Sequence, residues 1–204
     1  MSRYLGPRLR KVRRFGSELP GLTTKSAAKR PNIPGMHGPT KRTGGKLSEY
    51  GLRLREKQKL RFHYGLTERA LRLVYQRALR MPGDTGANML ALLEGRFDNL
   101  VWRAGLTRTI PAARQLISHG HVNLNGKRAK TPSQVLAVGD VFQVRESARN
   151  REDIRITVNS PLRERPSGLE IDIDTLTVTV KAIPGRDQVP ITVDIQKVIE
   201  YFAQ

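Results

Sequence analysis

Apolar residues recur at helical spacing in three stretches of the chain, and a further helix, the first in order, is marked by its cap and its stop. Ser48 is a ready N-cap for a helix running to about Tyr64, stopped by Gly65, and its "RLREKQKLRF" is basic on more than one side. Thr67 caps a second helix that ends before Pro82-Gly83, with Leu71, Val74, Ala78 and Leu79 as its apolar stripe. From Leu90 to Ala104 the apolar positions 90, 93, 97, 100, 101 and 104 keep the helical period, so one continuous helix is predicted, closed by Gly105. Thr109 caps a fourth, with Pro111 tolerated in its first turn and Ala113, Leu116 and Ile117 forming a short buried face before Gly120.

The period then changes from helical to alternating. Val122 and Leu124 alternate with polar residues up to Asn125-Gly126, the strongest short signal for a tight hairpin turn. Gly139-Asp140 leads into a further strand, Val141 to Val144. In "LEIDIDTLTVTV" the residues Leu169, Ile171 and Ile173, then Leu176, Val178 and Val180, are expected to face one way. Asp194 caps a last short helix carrying Val198, Ile199 and Phe202. The pattern predicts an α+β protein: a helical N-terminal part, two helices with a small strand unit, and a C-terminal strand and helix region.

Charge changes the picture. The chain has 37 Lys and Arg against 18 Asp and Glu, a net charge of +19, and this much self-repulsion opposes compaction unless a polyanion neutralises it. Residues 1 to 46 hold twelve basic residues and a single acid, Glu18, with prolines at 7, 20, 31, 34 and 39, so this arm is expected to be mobile when free and ordered on RNA. Residues 151 to 204 carry seven basic residues to nine acidic. That reversal points to protein contacts for the carboxyl third, through acids such as Glu170, Asp172 and Asp174. No run reaches the length of a spanning helix, the N-terminus shows no apolar signal core, and the absence of cysteine removes disulfides and thiolate metal sites, as suits an intracellular protein.

The candidate chemistry is narrow. His119 and His121 bracket a glycine, but a metal site needs three or four ligands, the other histidines are only His37 and His63, and no cluster of carboxylates lies near the pair in sequence, so neither metal nor cofactor is expected. "GRFD" at 95 to 98 resembles the catalytic segment of pseudouridine synthases, with Asp98 as nucleophile; on a continuous helix Phe97 falls on the apolar stripe and Asp98 on the solvated side. "TGGK" at 43 to 46 lacks the spacing of a phosphate-cradling loop. Aromatics make up 5% of the chain and form no stacking platform, so phosphate neutralisation and shape recognition of a folded RNA are the chemistry on offer.

"SRYLGPRLRKVRR", "RPNIPGMHG", "KLSEYGLRLREKQKLRFHYGL", "TGANMLALLEGRFDNLVWRAGL", "ARQLISHGHVNLNGK" and "RPSGLEIDID" occur in the order found in bacterial and plastid small-subunit ribosomal protein S four, which the whole chain resembles. The resemblance implies a non-enzymatic, primary binder of small-subunit ribosomal RNA that nucleates assembly of the subunit body. It also implies direct contact with the fifth small-subunit protein and, with that one and the twelfth, an influence on translational accuracy. It places a basic arm and helical domain at 1 to 91, an L-shaped RNA-binding module of two helices and a hairpin at 92 to 154, and a strand and helix region at 155 to 204. Some members bind zinc through cysteines in the arm, where this chain has Leu9 and Val12. "LRFHYGLTER" is closer to cyanobacterial and plastid members, so the expected location is the ribosome of a bacterial cytoplasm or a plastid stroma.

The candidate RNA contacts fall in three groups. On the arm they are Arg3, Arg8, Arg10, Lys11, Arg13, Arg14, Lys41, Arg42 and Lys46; on the next helices, Arg53, Arg55, Lys57, Lys59, Arg61, Arg69 and Arg72. In the module they are Arg96, Arg108, Arg114, Gln115, His119, His121, Asn123, Lys127 and Arg128. Arg114 and Gln115 are expected to project outward, with Lys127 and Arg128 reaching the same concave side; His121 equally suits a local backbone contact. The alternative is an RNA-modifying enzyme of the pseudouridine synthase kind carrying the same module, supported by "GRFD" alone.

Overall fold

The computed structural model describes residues 4–38 and 47–204. In chain order its elements are α1 (Arg8–Phe15), α2 (Glu49–His63), α3 (Glu68–Leu79), α4 (Thr85–Glu94), α5 (Phe97–Arg103), α6 (Ile110–Ser118), β1 (Val122–Leu124), β2 (Lys127–Ala129), β3 (Val141–Val144), α7 (Glu146–Arg149), α8 (Glu152–Asn159), β4 (Leu169–Asp172), β5 (Thr177–Val180) and α9 (Ile195–Ala203). They gather into two compact units, one holding the described residues up to Asn88 together with Pro190–Gln204, the other Met89–Val189. No described helix is long and apolar enough to cross a membrane.

In the first unit the expected caps form. Ser48 accepts from the Gly51 amide, Thr67 from Ala70 and Asp194 from Lys197, each satisfying a helix amide that would otherwise lack an acceptor. Residues 8–22 depart from the expectation of a mobile arm. Val12, Phe15, Leu19 and Leu22 recur every three or four positions among the arginines and are all buried, so this stretch has an apolar face of its own. Phe15 lies 6.0 Å from the Phe62 ring, and the Gly21 amide donates to His63 Nδ1. On α3 the buried set is Leu71, Tyr75 and Ala78, while Leu79 is exposed. The stripe is rotated because Tyr75 stacks on Phe202 of α9, with ring centroids 5.0 Å apart.

The second unit overturns the continuous helix from 90 to 104. Leu90, Leu93, Phe97, Leu100, Val101 and Ala104 are all buried as the period requires, but α4 stops at Glu94 and Arg96 is extended. The backbone there pairs with a later loop: Phe97 N–H donates to Gln134 O at 2.7 Å, Asp98 N–H to Pro132 O at 3.0 Å, and Leu136 N–H to Gly95 O at 2.9 Å. Two short helices thus share one apolar period.

The strands form an antiparallel sheet ordered β2-β1-β3-β5-β4, with Leu124 opposite Phe142 and Phe142 opposite Val178 at its centre. Asn125 and Gly126 both have positive φ, 48° and 77°, as the tight β1–β2 turn demands. The Asn125 side chain accepts from the Val141 amide and donates to Asp140, fixing the hairpin to the start of β3. Of the residues expected on one face of the β4–β5 hairpin, Leu169, Leu176, Val178 and Val180 are buried, Ile171 is half-buried and Ile173 is exposed. Asp172 ends the alternation by accepting from Asp174 and Thr175, so Ile173 lies in the turn rather than the strand.

Candidate nucleic-acid interface

Helix α6 positions the site. Thr109 accepts from the Ala112 amide, Ala113, Leu116 and Ile117 are buried, and Arg114, Gln115 and His119 fall on the remaining arc. Gly120 ends the helix at φ 71°, and a Cβ there would lie 2.1 Å from Arg128 Nε. Only glycine admits the Arg128 guanidinium, which donates to Gly120 O at 3.2 Å and His119 O at 3.1 Å and so satisfies carbonyls left open at the helix end. The Arg145 amide takes up His121 O at 2.9 Å. Arg128 remains exposed, as does Lys127 beside it, while Asn123 is half-buried across the hairpin from Arg128.

The turn presents both histidines, with ring centroids 6.1 Å apart. Burial, then the positive charges of Arg151, His119, Arg128 and Arg145, hold the His121 imidazole below the usual histidine range, so it is neutral at neutral pH. A cleft of about 180 Å³ opens beside them, lined by Arg108, Gln115, His119 and His121 together with Arg151, Asp153 and Thr157. The first four are sequence-predicted. Arg151 and Asp153 were missed because α7 and α8 show only short, broken apolar periods; Ile154 and Val158 on α8 were the available signal.

Two expectations for this region fail. Asp98 is not solvated: it is fully buried, receiving Arg96 through Nε–Oδ1 at 3.1 Å and Nη2–Oδ2 at 2.9 Å, and Arg114 through Nη2 at 2.6 Å and Nε at 3.1 Å. Arg114 consequently folds inward onto that carboxylate instead of projecting outward, and its side chain is 18% exposed. The break before α5 turns Asp98 inward, and a carboxylate removed from water needs the opposite charge that two guanidiniums supply. A second buried set lies nearby, where Glu94 accepts from Asn99 and Arg103.

In the first unit the candidates divide. Arg8, Arg10 and Arg14 are exposed on α1; Arg13 donates to Asn32 O; Lys11 lies 4.6 Å from the Phe62 ring and 4.9 Å from that of Tyr4. Partial desolvation and the neighbouring Arg14, Arg61 and Arg10 push the Lys11 ammonium below its usual range. On α2 Arg53 pairs with Glu200 at 2.9 Å, Lys57 with Glu68 at 2.7 Å, Lys59 with Glu56 at 2.6 Å and Arg61 with Glu68 at 3.7 Å, while Arg55 donates to Phe15 O. Arg69 and Arg72 on α3 are exposed and make no ion pair among the described residues, and the same holds for Arg77 and Arg80, which sequence reasoning passed over. Arg3, Lys41, Arg42 and Lys46 lie outside the described residues. Among the described residues no group of three His, Cys, Asp or Glu side chains comes together as metal ligands.

A helical domain followed by a helix–helix–hairpin module is also what known families match. Residues 3–94 match the Ribosomal protein S4/S9 N-terminal domain and residues 95–142 the S4 domain. The small ribosomal subunit protein uS4 of Thermosynechococcus vestitus is 48% identical over 205 residues, covering 100% of this chain and 99% of the relative. Those of Nostoc punctiforme and Methylobacillus flagellatus are 47% and 43% identical, again over 100% of this chain and 99% and 98% of the relatives. The chain belongs to the small ribosomal subunit protein uS4 family. These relatives are named as ribosomal subunit proteins, and nothing among them supports the RNA-modifying enzyme.

Proposed function

We propose that this chain is a structural constituent of the small ribosomal subunit that binds ribosomal RNA through the module at 92 to 154 and through the basic surface of its helical domain. The observation that carries the reading is the convergence at one turn of Gln115, His119, His121 and the Lys127–Arg128 hairpin, beside a cleft that also holds Arg108. Arg128 reaches that place by capping α6, so the geometry of the turn and the position of a cation are set together. Exposed guanidinium and ammonium groups at fixed spacing on a rigid frame suit the phosphates of a folded RNA.

The resemblance to the family supports a fuller role in this reading: a primary RNA binder that nucleates assembly of the subunit body, touches the fifth small-subunit protein, and with that one and the twelfth influences accuracy, on ribosomes of a bacterial cytoplasm or a plastid. The exposed acids Glu170, Asp172 and Asp174 are the candidate surface for a basic protein neighbour. The test is filter binding to small-subunit ribosomal RNA across a salt series. Because Arg114 sustains Asp98, the informative variant is Arg108→Ala with Lys127→Ala, both exposed. It is expected to retain the thermal transition and lower the salt slope by about 0.7–0.9 per lost phosphate contact. An unchanged slope refutes the role of the turn, and failure of the unmodified protein to co-sediment with small subunits refutes the whole.

A further inference from the structure

The cleft beside the histidines differs in two ways from a site built for phosphate alone. Its floor is apolar: Leu106, Leu116 and Ile154 line it and are 0%, 4% and 1% exposed. Its rim includes a carboxylate, Asp153, which Arg151 grips through two hydrogen bonds of 3.1 and 3.0 Å while both side chains stay open to solvent. The hydrogen bonds from Arg151 hold the Asp153 carboxyl below the usual carboxylate range, so it is an anion at neutral pH. A fixed anion repels a phosphate and accepts from N–H donors. At about 180 Å³ the space is smaller than the roughly 300 Å³ at which small-molecule and cofactor sites begin. It suits a single flat heteroaromatic ring system.

We propose that this cleft receives one unpaired guanine base of the ribosomal RNA, with the Asp153 carboxylate accepting from its pairing edge. Guanine alone among the four bases places two adjacent donors, N1–H and N2–H, on that edge, and these match the two oxygens of a carboxylate. The Arg151–Asp153 pair is open to solvent and weak, so the base takes the two oxygens in its place and the released guanidinium turns to a flanking phosphate. Gln115 and His119, both exposed on the α6 wall, offer an amide and a ring face for the rest of the base; imidazole is among the groups on which splayed-out bases stack. Arg108 and Arg151 flank the opening, where the phosphates on either side of an extruded nucleotide pass. The inference rests on the RNA-binding reading and adds base selection to what charge supplies.

The test uses the full chain with small-subunit ribosomal RNA, footprinted in parallel with hydroxyl radicals for the backbone, kethoxal for the guanine pairing edge and dimethyl sulfate for adenine and cytosine. One unpaired guanine is expected to be protected from kethoxal by the unmodified protein. In Asp153→Asn that protection is lost, affinity falls about tenfold, and the hydroxyl-radical footprint stays in place. Gln115→Ala, at an exposed position, is expected to weaken the same protection without moving the backbone footprint. Protection that persists in Asp153→Asn, protection of an adenine or cytosine at that place, or no protected base within an intact backbone footprint overturns the proposal. Absence of the backbone footprint with the unmodified protein removes the RNA-binding reading itself, and the proposal with it.

Discussion

Helices α2 and α3 look alike in charge and differ in what the charge does. Arg53, Lys57, Lys59 and Arg61 of α2 each meet a carboxylate, supplied by Glu200, Glu68 and Glu56, and Lys57 also lies 4.0 Å from the Tyr201 ring. Arg69, Arg72, Arg77 and Arg80, on α3 and its C-cap, meet none among the described residues. At 100° per residue these four occupy one arc of α3, opposite Leu71, Tyr75 and Ala78, and extend over roughly 16 Å of axis. A basic helix is therefore not in itself a nucleic-acid helix. The cations of α2 help hold α9, and those of α3 remain available to an outside polyanion. The second unit repeats the contrast, with Arg96 and Arg114 held by Asp98 while Arg108 and Lys127 are exposed.

The sharpest way to break this division is to remove the carboxylate from a held set. Asp98→Ala removes the buried carboxylate that the Arg96 and Arg114 guanidiniums share and is expected to lower stability by about 3–5 kcal/mol, read from urea denaturation midpoints. A loss below about 1 kcal/mol would mean that Arg96 and Arg114 reach solvent and are not structural cations.

Next in size is a direct comparison of the two helices. The triple variant Arg69→Ser, Arg72→Ser, Arg77→Ser is expected to unfold at nearly the parent temperature and to reduce the salt slope of RNA binding by as much as about 0.7–0.9 per arginine. Lys57→Met is expected to do the reverse, costing about 1–3 kcal/mol of stability with the slope preserved. Equal slope changes in the two would erase the distinction between α2 and α3.

Gly120→Ala tests the junction between fold and site. Its positive φ costs an L-residue roughly 1–2 kcal/mol, and the added methyl displaces the Arg128 guanidinium. Weaker RNA binding than the stability loss explains is the expected signature, measured by calorimetry and filter binding on one preparation.

The smallest effect concerns acid. Because His121 binds its proton less readily in the folded chain than in the unfolded one, the stability it supports is complete above the ordinary histidine value of about 6.5 and is lost as pH falls toward its lower folded value. The melting temperature of the free protein is expected to drop modestly between about pH 7.5 and pH 5.5, and His121→Gln to flatten that part of the curve. A drop that survives unchanged in His121→Gln assigns it to other groups.

What was legible along the chain were features whose cause is local. Ser48, Thr67, Thr109 and Asp194 cap helices because a side-chain oxygen needs an amide only two or three residues away. Asn125-Gly126 turns the hairpin because those residues tolerate positive φ. The apolar period from Leu90 to Ala104 correctly named the buried residues, since period reports the face and not the continuity of the backbone.

Features set by partners distant in sequence were not legible. The break at Arg96 depends on residues 132–136 taking its neighbours' hydrogen bonds, the inward turn of Asp98 depends on Arg114 sixteen positions away, and the neutralisation of α2 depends on Glu200 at the far end of the chain. Composition counts a charge wherever it lies, and only packing decides whether that charge meets a carboxylate within 4 Å or is left to the solvent and an incoming phosphate. Composition and local pattern alone marked the caps, the buried apolar positions and the hairpin turn, and pointed to a polyanion. The tertiary structure decided which cations are free to meet one, because that depends on which acids the fold has already placed beside them.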